Sequence, residues 1–371
     1  MHKNKKYTVA SLFSGMGGLD LGFEKAGFII KWANEISPNA AKSYALNFQN
    51  TPICEDITKV SLDSIPSTDI VIGGPPCQAF SLVGKRREDD QRGFLVFRYL
   101  EIIQEKLPKI FVMENVPGLA ASKIDGRRLT DILSEQYSKI GYNVNIVKPI
   151  ASDYLVPQKR RRIFILGSLE KKIDMPNPLN FAEECYDVDN KKFDISAKAA
   201  IGDLGKCVGK GEMSSYSTTP ISDFSKLMRS RNKSNVVSLH ECPRMSNTDI
   251  EILKHIPPGG NYQDIPDAIS PGRVLKFKKT GGRTTTYGRL HPDKPSYTIN
   301  TYFRRPNVGA NFHYSEHRLI TAREAMRFQS FPDQFNLVYS SQDEKNSFIG
   351  NAVPPLLAHA IAWSVKNSLD G

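Results

Sequence analysis

The feature that most constrains the fold of this chain is the alternation of short apolar segments with helical segments between residues 7 and 167. The apolar segments that predict strands occupy seven ranges: 7–13, 29–34, 52–54, 69–73, 109–113, 143–148 and 162–167. Helical periodicity between them predicts helices at 19–27, 38–48, 94–106 and 127–140. This order predicts an α/β fold, a Rossmann-like, mostly parallel sheet with helices on both faces. Ligands of such sheets bind outside the carboxyl ends of the strands.

The alternation ends near residue 170, and a chain of 371 residues is long enough for a second, smaller domain. Residues 171–311 are rich in Pro, Gly, Ser, Asn and Lys, which predicts an irregular domain. Helical periodicity returns at 316–335, where Thr321 and Glu324 have capping-box spacing, and again at 354–368. We therefore expect 1–170 to form one domain, 171–311 the other, and 312–371 to complete the first.

The charge of the chain is typical of a protein with a nucleic-acid partner. Fifty Lys and Arg against 39 Asp and Glu give a formal net charge of +11. Residues 271–311 hold nine Lys or Arg against Asp293 alone, with Tyr287, Tyr297, Tyr302 and Phe303 between them. Basic side chains contact phosphates and aromatic rings stack on bases, so this tract is a candidate nucleic-acid surface. The alternative is a solvated loop around a small aromatic core.

The cysteines show no paired spacing for zinc or redox work; they are Cys54, Cys77, Cys185, Cys207 and Cys242. We expect reduced thiols, no metal, and a cytoplasmic, monomeric protein. The apolar run after Lys3, Lys5 and Lys6 ends at Ser14, too early for a signal peptide, and no apolar segment approaches the length of a membrane span.

The first three strands end in residues that suit a nucleoside. The first runs into FSGMGG at 13–18, where glycines allow close backbone approach at a helix N-terminus. Gly15 and Gly17 fit G-x-G-x-x-G, but the third position is Asp20, so the pyrophosphate pattern is broken. Glu35 and Asp56 end the next two strands, and an acid there takes ribose hydroxyls. A nucleoside cofactor without a pyrophosphate is therefore predicted.

The fourth and fifth strands end in a thiol and an acid. Cys77 follows Pro75-Pro76, a pair that stops the strand and stiffens its exit, and Glu114 ends the next strand. Neighbouring strand ends bring both groups to one crevice, as a covalent transferase requires. In QKRRR at 158–162, alternation along a strand predicts Arg160 and Arg162 on one side. Two guanidinium groups there would suit a phosphate or a pyrimidine carbonyl.

These residues carry a resemblance to the DNA (cytosine-5)-methyltransferases, of the bacterial restriction-modification type. Eight motifs occur in the family's order: FSGMGG, NEIS, the acid of EDI, GGPPCQAFS, ENV, QKRRR, RLITAREAMRFQSFP and GNAVPP. The resemblance covers roughly residues 7–167 and 316–368. It implies S-adenosylmethionine as methyl donor, S-adenosylhomocysteine as product, and double-stranded DNA as substrate. It assigns 1–170 to catalysis and cofactor binding and 171–311 to target recognition.

The resemblance also implies roles for single residues. Cys77 would attack carbon 6 of a cytosine, Glu114 would hold ring nitrogen 3 and the amine, and Arg160 and Arg162 would hold the carbonyl oxygen and the thiolate region. The implied cofactor contacts are Phe13, Gly15, Met16, Gly17, Gly18, Glu35, Ile36, Asp56, Ile57, Pro75 and Asn351.

Carbon 6 is inaccessible in a stacked duplex, so the base must be flipped out. Segment 81–94 has the composition of a loop that closes over DNA. The candidate DNA contacts are Ser81, Lys85, Arg92, Arg283 and Arg289. A companion endonuclease would be a genetic rather than a physical partner.

Three other functions are compatible with parts of the sequence. A tRNA cytosine-5 methyltransferase would carry the same motifs, but the long basic domain favours DNA. A nicotinamide oxidoreductase is opposed by the broken glycine pattern and by Cys77, for which it has no role. An inactive DNA-binding module is opposed by the presence of both Cys77 and Glu114.

Overall fold

The computed structural model describes residues 6–76, 95–232 and 234–371. The chain forms two compact units. Unit 1 comprises 1–150, 161–181 and 355–371, and unit 2 comprises 151–160 and 182–354. The final helix therefore belongs to unit 1, whereas 312–354, which we expected there, belongs to unit 2. The assignment of catalysis and target recognition to separate parts of the chain stays a prediction.

The first part of the chain contains most of the strands. In chain order its elements are β1 (Thr8–Leu12), α1 (Gly18–Lys25), β2 (Ile29–Ala33), α2 (Pro38–Asn47), β3 (Ile70–Gly73), α3 (Leu95–Lys106), β4 (Ile110–Asn115), β5 (Lys123–Ile124), β6 (Arg127–Arg128), α4 (Leu129–Ile140), β7 (Asn143–Val147), β8 (Gln158–Lys159) and β9 (Ile163–Ser168). Where predicted and observed elements of this part of the chain correspond, their ends differ by at most two residues.

The rest of the chain is mainly helical, with short strands. Its elements are α5 (Pro178–Tyr186), α6 (Ala197–Ile201), β10 (Ser214–Ser215), α7 (Asp223–Arg229), β11 (Val236–Val237), α8 (Asn247–Lys254), α9 (Gly272–Thr280), β12 (Ser296–Tyr297), α10 (Ala322–Phe328), α11 (Gln342–Asn351) and α12 (Pro355–Asp370).

The predicted sheet is confirmed in unit 1. Six strands have the order β2-β1-β3-β4-β9-β7, and β2, β1, β3 and β4 are parallel. β9 runs antiparallel to both its neighbours, so the sheet is mixed at one side. The strand predicted at 52–54 is wrong, since this segment makes only a single bridge between Ile53 and Asn34.

Two groups of helices pack in unit 1. α3 and α4 bury Tyr99, Leu133 and Tyr137 against strand residues such as Phe111 and Ile165. Large side chains dominate this core because long, near-continuous apolar strands of a parallel sheet must be covered. α1 and α12 approach so closely that a Cβ on Gly22 would lie 2.4 Å from Cβ of Ala358. The predicted return of the C-terminal helix thus completes the packing of α1.

Unit 2 is irregular, as its composition predicts. Its sheets are two-stranded, β10 with β11 and β12 with β8. The capping box at the start of α10 is confirmed: Thr321 Oγ1 accepts from Glu324 N, and Glu324 accepts from Thr321 N. α10 ends at Phe328, however, so the helix is shorter than the periodicity at 316–335 predicts.

Unit 2 also contains a disulfide between Cys207 and Cys242, which are 35 residues apart in sequence. Our expectation of reduced thiols is therefore wrong for this pair. The segments meet because Cys242 N donates to Val208 O and Val208 N donates to His240 O. Cys54 and Cys185 are not disulfide-bonded, and Cys77 lies outside the described residues.

Contrary to our expectation that no apolar segment approaches the length of a membrane span, the stretch 342–370 is, by length and composition, long and apolar enough to cross a membrane. Of its most apolar 18-residue window, 72% is buried inside the protein. Burial of this extent is typical of a core helix, which agrees with the packing of α12 on α1.

Candidate active site

Three of the side chains predicted to act together, those of Glu35, Glu114 and Arg162, lie at strand ends along one edge of the unit 1 sheet. β1, β2, β3 and β4 are parallel, so their carboxyl ends meet at this edge. β9 runs the opposite way, and its first residue, Ile163, pairs with Asn115 at the end of β4. The register therefore brings Arg162, one residue before β9, beside Glu114.

Glu114 and Arg162 form an ion pair at this edge, with Arg162 Nε 2.8 Å from Glu114 Oε1. Both residues are buried, at 8% exposure each. Burial lowers the pKa of the Arg162 guanidinium, and the carboxylate of Glu114 opposes that shift. A guanidinium remains charged in proteins, so the pair places a fixed cation against a carboxyl group at a strand end.

The exit of β3 is attached to the end of β4. Asn115 Nδ2 donates to Pro75 O at 2.9 Å, and a Cβ on Gly74 would lie 3.1 Å from Glu114 Oε2. Glycine at 74 therefore lets the backbone pass close to the carboxylate. Pro76 is the last described residue before Cys77, so the proximity of the thiol to Glu114 stays a prediction.

The glycine turn after β1 is held by Glu35. Phe13, Gly15 and Gly17 adopt positive φ angles of 54°, 56° and 94°. Glu35 follows β2, and its two carboxylate oxygens accept from Gly15 N and Ser37 N, each at 2.8 Å. Burial raises the pKa of Glu35, while these backbone donors lower it. A carboxylate has about four acceptor positions, so Glu35 retains capacity for ribose hydroxyls.

A second support for the turn comes from α1 and α2. Asp20 in α1 is fully buried, and its Oδ1 accepts from Tyr44 Oη in α2 at 2.9 Å. The Tyr44 and Phe48 rings stack with centroids 4.1 Å apart, and a Cβ on Gly17 would lie 2.3 Å from the Phe48 ring. The backbone at Gly17 thus packs directly on this aromatic pair.

The remaining predicted cofactor residues of unit 1 differ in exposure. Ile36 is 63% exposed, whereas Met16 and Ile57 are buried at 2% and 3%, and Ile57 belongs to the α3–α4 core. Asp56 Oδ1 accepts from Thr58 N and Thr58 Oγ1, and the backbone bond lowers the pKa of Asp56. Ile36 therefore offers an apolar side chain to a ligand, and Ile57 offers mainly its backbone.

Arg160 does not lie on a shared strand face with Arg162, contrary to our prediction. β8 ends at Lys159 and β9 begins at Ile163, so alternation along one strand does not apply to residues 160–162. Arg160 is fully buried in unit 2, and its guanidinium donates to the carbonyl oxygens of Ile299, Gly350 and Ala352. This arrangement assigns Arg160 a structural role in unit 2, where it holds the GNAVPP segment.

Among the predicted DNA contacts, Arg283 is exposed and Arg289 is not. Arg289 is 6% exposed, and it donates to the carbonyl oxygens of His313 and Ile256. Burial and these two hydrogen bonds oppose a phosphate contact, and the DNA-binding role of Arg289 stays a prediction. Asn351 is exposed at the end of α11, and Ser81, Lys85 and Arg92 lie outside the described residues.

Comparisons with known proteins show which family the sequence matches. The family model for C-5 cytosine-specific DNA methylases matches residues 7–367. The chain belongs to this family. It is 33% identical to Type II methyltransferase M1.HphI of Haemophilus parahaemolyticus, over 96% of this chain and 86% of that protein. It is 34% identical to Type II methyltransferase M.NgoPII of Neisseria gonorrhoeae, over 98% of this chain and 96% of that protein.

Solved structures agree with this membership. A prophage-encoded protein of E. coli, described as a DNA modification methyltransferase, superposes with a TM-score of 0.75 at 25% identity. The match covers 99% of this chain and 100% of that one. As a C-5 cytosine DNA methylase the chain is a DNA (cytosine-5-)-methyltransferase, and the family implies S-adenosylmethionine as cofactor and DNA as substrate. The described residues contain no group of three or more His, Cys, Asp or Glu that could hold a metal.

The carboxyl edge of this methylase fits that cofactor. A Cβ on Gly15 would meet nothing within 4 Å, so the turn faces open space. Glu35 and Ile36 then offer acceptors and an apolar surface at the next strand end. Sequence reasoning missed Asn115 as a member of the site. Asn115 directly follows Glu114 at the end of β4. An amide side chain at the end of a strand can form a hydrogen bond to the end of the neighbouring strand, and this position could have indicated its contact with Pro75.

Proposed function

We propose that this methylase modifies carbon 5 of a flipped-out cytosine through a covalent adduct with Cys77. The thiolate would form a bond to carbon 6, which makes carbon 5 nucleophilic toward the donor methyl group. Loss of the carbon 5 proton to water or hydroxide would then restore the double bond and expel the sulfur. The single observation that carries the proposal is the buried ion pair of Glu114 and Arg162 beside the exit of β3.

Glu114 would hold ring nitrogen 3 and the exocyclic amine of the cytosine. A carboxyl group that is buried and oriented by a guanidinium can stabilise charge that develops on the ring. Arg162 would reach the carbonyl oxygen of the base while it keeps Glu114 in place. We propose Arg160 only as a positioning residue, because its donors are engaged with carbonyl groups of unit 2.

S-adenosylmethionine would supply an activated methyl group. The turn at 13–18 would bind its methionine part, Glu35 the ribose hydroxyls, and Ile36 with Asp56 the adenine. Pro75 and Asn351 are further proposed contacts. Tight glycine backbone at a helix N-terminus suits a polar ligand, which supports this arrangement.

We further propose that unit 2 reads the bases around the target and that the modification protects host DNA from a partner endonuclease. The relatives named Type II methyltransferases support this role. A tRNA substrate is the alternative, since the same chemistry would serve it. The basic tract at 271–311 favours DNA.

A methyl-transfer assay tests these proposals. The protein is incubated with tritiated S-adenosylmethionine and either genomic duplex DNA or tRNA. We expect label on DNA cytosine, loss of that label in Cys77→Ser, and full labelling in the control Cys185→Ser. Retained labelling in Cys77→Ser would contradict the adduct, and label on tRNA alone would establish the alternative. Mapping of methylated cytosines would then give the recognition sequence, and DNA carrying it should resist an endonuclease of that specificity.

A further inference from the structure

A short basic hairpin lies at the same edge of the sheet as Glu114. β5 and β6 form an antiparallel pair joined by Asp125 and Gly126, whose φ angles of 49° and 82° fit a two-residue turn. β4 runs toward the carboxyl edge, and α4 runs back from it to β7, which again runs in the direction of β4. The hairpin, which connects the end of β4 to the start of α4, is therefore at the carboxyl edge.

The two faces of the hairpin differ. Ile124 pairs with Arg127, and Ile124 packs against the core beneath α3 and α4. Arg127 is bound to Glu135 of α4, with 2.6 Å between the charged atoms. Because side chains alternate along a strand, Lys123 and Arg128 lie on the opposite face, where both are exposed.

Lys123 and Arg128 are directly opposed across the hairpin. Like charges at such positions, with Cβ atoms about 5 Å apart, repel each other. Within residues 6–76, 95–232 and 234–371, neither side chain forms an ion pair that would offset this repulsion. An anion bound between the two cations would remove it, and a phosphate accepts from an ammonium and a guanidinium at once.

We propose that Lys123 and Arg128 bind a backbone phosphate of the DNA substrate. The inference rests on the proposed function, since it is the target duplex that would be brought to the edge carrying Glu114. The contact is independent of sequence, because phosphates carry no base information. It adds a DNA contact in unit 1 to those predicted from the basic tract of unit 2.

The test measures how salt affects binding of a short fluorescent DNA duplex of arbitrary sequence. In the double variant Lys123→Gln, Arg128→Gln, we expect the slope of log affinity against log salt concentration to fall by about 0.9 per lost phosphate contact. The matched control is Lys106→Gln combined with Lys172→Gln, two cations at the far edge of the sheet, in the last turn of α3 and after the end of β9. We expect the control to keep the wild-type slope.

Further outcomes separate this inference from the proposed function. The double variant should bind S-adenosylhomocysteine like the wild type and should unfold at no lower temperature, since a repulsion is removed. An unchanged slope in the double variant, or an equal loss in the control, would overturn the inference while methylation of DNA by the wild type still stood. A wild type that methylates no DNA would instead contradict the proposed function.

Discussion

At the scale of single residues, the site depends on the carboxyl group of Glu114 and on the guanidinium of Arg162 that holds it in place. Glu114 is buried against Arg162, with 2.8 Å between the charged atoms. A buried ion pair contributes little net stability, but loss of one member leaves the other charge without compensation. The pair is therefore better explained by its position at the strand ends than by stability.

Glu114→Gln keeps the shape of the side chain and removes its charge. We expect turnover to fall by about 10²- to 10⁴-fold, because an amide cannot exchange a proton with ring nitrogen 3 as a carboxyl group can. Binding of S-adenosylhomocysteine should be unchanged, since no described contact joins Glu114 to the glycine turn. Single-turnover methylation and a cofactor titration check the two expectations, and a variant that loses cofactor affinity alone would contradict the assigned role.

Gly74→Ala tests the close approach between β3 and Glu114. The new Cβ would lie 3.1 Å from Glu114 Oε2, so the carboxylate would have to move by a few tenths of an ångström. We expect turnover to fall by about tenfold, because a displacement of about 1 Å at a reacting group costs about 100-fold. The free energy of unfolding should change little. Gly118→Ala, whose Cβ would meet only Val116 at 3.9 Å, is the control.

The residues that could be predicted are those fixed by strand order alone. Glu114 and Glu35 follow buried strands, and parallel strands place such ends at one edge whatever the loops do. Arg160 and Arg289 were predicted as ligand contacts because a cationic side chain in sequence looks available to a ligand, whereas both are buried and donate to backbone carbonyl groups. Their carbonyl partners lie 24 to 192 residues away in sequence, at distances that no local pattern reveals.

At the scale of elements, α1 contains a carboxyl group, that of Asp20, whose burial disfavours the ionised form. Asp20 is fully buried, and burial raises its pKa from 3.8 to about 6, against hydrogen bonds from Ser11 and Tyr44 that lower it. Glu24 raises it slightly further. The folded protein therefore binds a proton at Asp20 more tightly than the unfolded chain does.

This shift predicts a pH dependence of stability. The contribution of Asp20 is complete below about pH 4 and is lost as pH rises through about pH 6, because the folded state must then bury a charge. The rise in the pKa of Asp20 from 3.8 to about 6 corresponds to roughly 3 kcal/mol. Urea unfolding of the wild type and of Asp20→Asn over this range measures it, since the difference between the two curves isolates Asp20. A constant difference across the range would contradict the shift.

The substitution Tyr44→Phe in α2 tests the hydrogen bond that α2 makes to Asp20 in α1. The change removes the Oη that donates to Asp20 but keeps the ring that packs on Gly17. We expect the pKa of Asp20 to rise further, because one of the bonds that favour its charged form is lost. The upper end of the pH range over which stability is lost should therefore move upward. Cofactor affinity should be nearly unchanged. A downward movement would mean that Tyr44 does not stabilise the charged carboxylate.

At the scale of the whole molecule, sequence periodicity predicted the regular unit far better than the irregular one. Unit 1 follows from alternating strands and helices, whereas unit 2 is held by contacts such as Arg327 with Asp203 and Asp333, all fully or nearly fully buried. Its disulfide joins Cys207 to Cys242, a pairing that spacing did not suggest. Contacts of this kind depend on the conformation of loops, and loop sequences have no periodicity from which such contacts could be predicted.

The disulfide leads to a prediction about the stability of the protein. Closing a loop between residues 35 apart restricts the unfolded chain. The chain-entropy model gives about 4 kcal/mol for a loop of this length. We expect a reductant to lower the free energy of unfolding of the wild type by an amount of that order, and to leave the double variant Cys207→Ala, Cys242→Ala unaffected. Cys54→Ser and Cys185→Ser, which leave the disulfide intact, should respond like the wild type.

Thiol counting gives an independent measurement. Alkylation of the denatured, unreduced protein should modify three of the five cysteines, because two are joined in the disulfide, and prior reduction should expose all five. Disulfides are rare in reducing compartments, so the count should be made on protein from both reducing and oxidising hosts. The two segments are also joined by backbone hydrogen bonds at Val208, so the fold of unit 2 should persist after reduction. Five reactive thiols in both preparations, with a reductant-insensitive unfolding curve, would mean that the two sulfurs are neighbours without a bond.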